Sequence, residues 1–267
     1  MTSFKRTGDV YELTLDQPPC NEIGLTLLAE LEAFTDEVAR SDAKAVIIHS
    51  ARPLGFCAGA DLRDLLSRVQ GRPREEYEPE LQLFIDRIHA VASRFDALPQ
   101  TTFAALHGVC FGGGFELALL CDILIADRST RFAFPELRLG IIPGFGGIPR
   151  LRREVPNGVV RDLLMTGRSL NATRAHALGL VSQLVAPGQA LAAARGAAQA
   201  ACAYDLEVQA QAKAFAKPLL QDELAEERRL FMHMITQPRV QAALADFASR
   251  TDPMPYLTRS APGKSAS

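Results

Sequence analysis

An α/β fold is what this 267-residue chain predicts, and three observations carry the prediction. Val10, Tyr11, Glu12, Leu13, Thr14 and Leu15 alternate in the manner of a half-buried strand. Leu27, Leu28, Leu31, Phe34 and Val38 recur at helical spacing, and Ala45 to His49 is a short apolar run suited to a buried strand. Strand, helix, strand is the grammar of a βαβ unit, and the order strand, glycine turn, helix returns around Gly112 to Cys121.

In chain order, Asp16-Gln17-Pro18-Pro19 ends the first strand and a helix runs from Thr26 to Arg40. Arg52 to Gly59 is expected to be a loop, with Asp61 capping the helix after it. Gly71 to Glu80 has no apolar periodicity and is expected to be a mobile surface connection. A helix from Leu81 to about Leu98 stops at Pro99, before a strand from Thr102 to Ala105. Another strand ends near Cys110, and Asp122 to Ala126 is the next. Past Leu151 helices dominate: Val159 to Thr166, an Asn171-capped helix stopped by Gly179, and much of Gly188 to Arg250, with one last strand near Leu180 to Val185. The expected organisation is a core over 1–190, a helical C-terminal region over 191–258 and a disordered tail over 259–267.

Hydrophobic residues make up 48% and charged residues 22%, the profile of a soluble chain able to bury a sizeable core. A net charge of −2 gives no general electrostatic footprint for nucleic acid or a membrane surface, and neither partner is expected. Cys20, Cys57, Cys110, Cys121 and Cys202 form no C-x-x-C pair and are expected to be reduced and mostly buried. The N-terminus has no apolar signal region and no segment is long enough to span a bilayer, so a cytoplasmic location is expected.

The candidate chemistry rests on Glu116, which follows Gly112-Gly113-Gly114-Phe115, and Glu136, which follows Pro135 and precedes Gly140-Ile141-Ile142-Pro143-Gly144. Glycines opening a helix leave N–H groups free for a developing oxyanion, and two carboxylates in unequal environments can divide acid and base duties. Each piece has a plainer reading: the glycines as a packing turn, Glu136 as a carboxylate favoured by a helix dipole. Phe56-Cys57-Ala58-Gly59-Ala60-Asp61 is a second candidate segment, either a ligand approach to the main chain or a compact turn. Asp122, Asp127, His49 and His107 are assigned structural roles, the two histidines lacking an obvious carboxylate partner. Cys57 is set aside as a nucleophile because no histidine lies close to it in sequence.

Taken together, Phe56 to Asp61, His107-Gly108, Gly112 to Ala118, Cys121-Asp122, Phe134-Pro135-Glu136 and Gly140 to Gly144 resemble the enoyl-CoA hydratase/isomerase (crotonase) family, with similarity running to about Arg250. The resemblance implies a spiral of ββα units and a helical C-terminal region that takes part in trimerisation, often as a dimer of trimers. It implies oxyanion-hole amides at Ala60 and Gly113, catalytic carboxylates at Glu116 and Glu136, and water or hydroxyl held at the Gly144 amide. Ala58, Asp61, Leu62 and Arg63 would line the path of the pantetheine and nucleotide, and Phe145 the acyl pocket. The implied substrate is an acyl thioester of coenzyme A or of acyl carrier protein, in fatty acid metabolism, with no metal or redox cofactor. Retention of both glutamates favours hydratase or dehydratase chemistry; isomerisation or decarboxylation is the alternative, and a non-catalytic binding protein a third. The chain departs from the family at Asn21-Glu22-Ile23-Gly24, where Asn-Ala-Leu is more usual, at Phe145, which replaces a small residue, and at Ile148-Pro149, which replaces Thr-Gln.

Overall fold

The computed structural model describes residues 2–249; the tail expected at 259–267 lies outside the described residues. Strands β1 (Ser3–Thr7) and β2 (Val10–Leu15) pair antiparallel, and helix α1 (Leu25–Ala39) crosses to β3 (Ala45–Ser50), which lies parallel to β2. A pattern then repeats. β3 is followed by β4 (Gly55–Cys57) and by helices α2 (Leu62–Val69) and α3 (Arg74–Asp96). β5 (Thr101–Leu106) is followed by β6 (Val109–Phe111) and α4 (Gly113–Ala118). β7 (Ile123–Asp127) is followed by β8 (Arg131–Ala133), a 3-10 helix (Pro135–Leu139), α5 (Gly147–Glu154) and α6 (Asn157–Thr166).

The first strand of each unit joins a six-stranded sheet and the second a four-stranded one, so the chain winds as a spiral of ββα turns. β9 (Leu170–Asn171) pairs antiparallel with β8, α7 (Ala172–Ala177) follows, and β10 (Gln183–Val185) closes the large sheet beside β7. Helices α8 (Ala190–Ala201), α9 (Leu206–Ala216), α10 (Gln221–Ile235) and α11 (Pro238–Ser249) complete the described chain.

Alternation along the parallel strands decides which core each side chain enters. Leu13, Leu15, Val46, Ile48, Ala104 and Leu106 face the main core with α1, α3 and α4. Ala45, Ile47, Phe103, Ala105 and Ile125 face the other way, where Ala190, Ala194 and Ala198 put a small-residue stripe of α8 against the sheet. No helix among the described residues is long and apolar enough to cross a membrane. All five cysteines are free and buried.

The structure corrects four expectations. β2 is covered on both faces, because α8 lies over the side bearing Val10 and supplies Arg195 to the buried Glu12. Gly71 to Glu80 is not a loop beyond Pro73: α3 begins at Arg74, with Arg74 paired to Glu78 one turn on, Glu75 and Glu76 favoured in the first turn, and Tyr77 buried. The expected loop at 52–59 contains β4, a strand too short to show a period. His49 does have a carboxylate neighbour, since the β2–β3 register brings Glu12 Oε2 to 3.8 Å from its Nε2.

Candidate active site

Gly112 turns the chain from β6 into α4 with φ +50° and ψ −128°, a conformation that glycine alone adopts freely. Helix α4 therefore opens at Gly113, whose N–H is one of the orphan donors of a first turn and has no acceptor among the described residues. Across from it, Ile23 bridges β4's continuation by donating to the Gly59 carbonyl and accepting from the Asp61 amide, which leaves the Ala60 N–H facing away from that bridge. The two amides are neighbours. A β-carbon built on Gly113 would stand 3.4 Å from the Ala60 nitrogen, and one built on Gly59 would stand 3.4 Å from the Gly113 nitrogen.

Both amides open on a cavity of about 670 Å³. Every sequence-predicted site residue lines it: Ala60, Gly113, Glu116, Glu136 and Gly144 at one part of the wall, Ala58, Asp61, Leu62 and Arg63 at another, with Phe145 between helices. Asp61 also caps α2, its Oδ1 accepting from the Asp64 amide at 2.9 Å. Glu22, the unusual acid of the 21–24 segment, lines the same cavity, and burial raises its proton affinity. Phe145 lies across Gly113, where a β-carbon would meet its ring at 2.8 Å, and packs edge-on against Phe84 with centroids 6.3 Å apart.

Glu116 is 3% exposed, and its Oε1 accepts from the Phe145 and Gly147 amides, both at 2.8 Å. Burial raises its pKa to about 7, against the lowering effect of those amides. Glu136 enters from the 3-10 helix, with Pro135 at the first position. Its Oε2 is shut off from solvent with no hydrogen-bond partner, and burial together with the charge of Glu116 pushes its pKa well above the carboxylate range. The pair is therefore unequal, both acids being raised and Glu136 further by the charge of Glu116.

Two residues that the sequence did not single out support this arrangement. Glu227 of α10 is 4% exposed and accepts from the Gly146 and Ile148 amides at 2.6 and 2.7 Å. Arg150 of α5 is also buried; its Nη1 donates to the Phe145 and Gly146 carbonyls and its Nε to Asp96. The loop needs its glycines for these contacts. A β-carbon on Gly146, at φ +95°, would meet Arg150 Nη1 at 1.8 Å, and one on Gly144 would meet the Phe231 ring at 2.2 Å. A signal for Glu227 does exist in the sequence: it occupies the apolar stripe of α10 set by Leu224, Phe231 and Ile235.

Comparison with known proteins gives the family and the fold. The enoyl-CoA hydratase/isomerase family profile matches residues 5–255. The chain belongs to that family. A Rhizobium meliloti protein named "probable enoyl-CoA hydratase" is 34% identical over 250 residues, covering 91% of this chain and 93% of the relative. A carnitinyl-CoA dehydratase of Salmonella arizonae is 36% identical over 192 residues, covering 71% of this chain and 70% of that one. The crystal structure of an enoyl-CoA hydratase from Bacillus halodurans superposes with a TM-score of 0.83 at 22% identity, covering 92% of this chain and 99% of the other, which establishes the crotonase fold.

Proposed function

We propose that this family member is an enoyl thioester hydratase/dehydratase, adding water reversibly to a 2-enoyl-CoA. One observation carries the reading: the buried Glu116 and the half-buried Glu136, of unequal proton affinity, share a cavity with two adjacent, unpaired main-chain amides. In the hydration direction the thioester oxygen accepts from the Ala60 and Gly113 N–H groups. Glu116 takes a proton from water, which the Gly144 amide helps to hold, and the water oxygen bonds to the β-carbon. The double-bond electrons move toward the α-carbon and the thioester oxygen, and Glu136 then protonates the α-carbon. Dehydration runs these steps backwards with the roles exchanged.

The amides stabilise charge that is larger in the transition state than in the ground state, and losing one such donor costs about 3 kcal/mol of barrier. An unpaired buried carboxyl oxygen is costly to fold around, which fits a group whose partner is the substrate. Ala58, Asp61, Leu62 and Arg63 are the proposed carrier-arm residues and Phe145 the acyl-pocket wall. The reaction needs neither a metal nor a redox cofactor. A trimer or a dimer of trimers is the proposed assembly, which light scattering tests.

Purified protein given crotonyl-CoA and longer or branched enoyl thioesters should consume the enoyl absorbance, and Glu116→Gln and Glu136→Gln should each abolish the loss. Product mass separates hydration from double-bond isomerisation, which leaves mass unchanged. Normal turnover in both variants would overturn the assignment.

A further inference from the structure

Four successive amides of one loop, Phe145 to Ile148, go alternately to two buried carboxylates. Phe145 and Gly147 donate to Glu116, Gly146 and Ile148 to Glu227. Glu227 does not line the cavity, so it reaches no substrate. Its side chain occupies a position on α10 where Leu224 and Phe231 are buried, and a hydrophobic residue there would cost nothing in desolvation. We propose that Glu227 is a positioning residue of the reaction, holding the 144–148 loop from the side opposite Glu116 and coupling its own charge to that of Glu116. Only the turnover arm of the test below rests on the hydratase reading.

The groups around Glu227 are few. Glu116 faces it from α4, Glu136 from the 3-10 helix, and Arg150 from α5, the last tied to Asp96 of α3. His89 of α3 touches the same loop at the Gly144 carbonyl, with Asp86 and Arg228 beyond it. Among these Arg150 is the one cation at the loop itself, and its guanidinium is already shared between Asp96 and two loop carbonyls. Three acids around one arginine cannot all ionise freely, so the charge state of one sets the others. The repulsion from Glu116 accordingly adds to burial in raising the Glu227 pKa to about 8.

Glu227→Gln keeps the volume and removes the charge, and it turns one NH₂ donor toward a loop amide. Turnover should fall about 10–100-fold as the loop shifts, while the acidic limb of the kcat/KM profile stays near 7, because Glu227 still holds its proton where Glu116 titrates. Glu227→Asp keeps the charge and should hold the limb near its wild-type position while turnover still falls. Titration of the protonated-carboxyl infrared band in the free protein reads the coupling without any turnover: the Glu227 step at about 8 should move to lower pH in Glu116→Gln. It therefore decides the coupling even if no enoyl thioester is hydrated. If Glu227→Gln does not fold, Glu116→Gln tests the pair from the other side, since it must lower the proton affinity of Glu227. Undiminished turnover in Glu227→Gln, or an unmoved Glu227 band in Glu116→Gln, overturns the proposal.

Discussion

The Glu136 carboxylate lies over the α-carbon of Gly112: a methyl group built there would stand 2.8 Å from Oε1. Gly112 also holds a backbone conformation that costs other residues about 1–3 kcal/mol. Gly112→Ala should therefore lose hydration activity by displacing the acid, beyond the effect of strain. Gly179→Ala is the control, because Gly179 has φ +85° with nothing within 4 Å of the added carbon. It should lower the urea midpoint and leave turnover unchanged.

The proposed hydration requires Glu116 ionised and Glu136 protonated. Since the first titrates at about 7 and the second well above the carboxylate range, kcat/KM should rise as pH passes 7 and fall again at higher pH. A pH profile with crotonyl-CoA checks this, and a limb in the ordinary carboxylate range near 4 would contradict the buried environment of Glu116.

The same acids tilt stability with pH. Glu116 and Glu227 hold protons in the folded state up to about 7 and about 8, while the unfolded chain releases them near about 4.3. Folding thus takes up protons, and the associated stability is lost as pH rises through the folded values. His89 works in the opposite sense but only below about 6.5, where the unfolded imidazole charges while burial keeps the folded one neutral down to about 4. Between pH 6.5 and 8 the urea midpoint should fall, and Glu227→Gln should flatten the slope.

Asp96 is the anchor beneath the loop. It pairs with Arg150, Arg153 and Lys217, whose charges hold its pKa at about 2 against its burial. Asp96→Asn leaves the buried Arg150 without a carboxylate partner, while Arg153 keeps Glu154 and Lys217 keeps Asp122, and should cost about 3 kcal/mol in urea denaturation. Because Arg150 also grips the loop carbonyls, turnover measured below the unfolding transition should fall as well.

Phe145 closes part of the cavity against Phe84. Phe145→Ala should shift the ratio of kcat/KM values toward longer or branched enoyl thioesters, at a stability cost of about 3 kcal/mol. A substrate series run on both proteins measures the shift.

The elements that declare themselves in the sequence are those whose side chains must alternate or recur. β3 and α1 emerge within a residue or two because their apolar positions repeat, and the glycine turn at Gly112 marks where α4 begins. The start of α3 is hidden because its first turns are held by ion pairs, Arg72 with Glu80 and Arg74 with Glu78, and charge carries no period. The places of Ala60 and Gly113 beside helix starts were legible through their small residues, while their pairing as oxyanion donors came from the family resemblance. Glu227 was passed over because it stands in a run of charged residues that resembles a solvated face, although its spacing from Leu224 and Phe231 puts it on the apolar stripe of α10.

The grip of α10 on Gly146 and Ile148 has a consequence for biosynthesis. A nascent chain can wind its spiral and bring Glu116 beside Glu136 while two amides of the intervening loop still lack acceptors. The ribosome must deliver α10 before that loop is fastened, so the cavity wall is complete only when the late helices have docked, and a prematurely terminated product would carry the acids without the clasp.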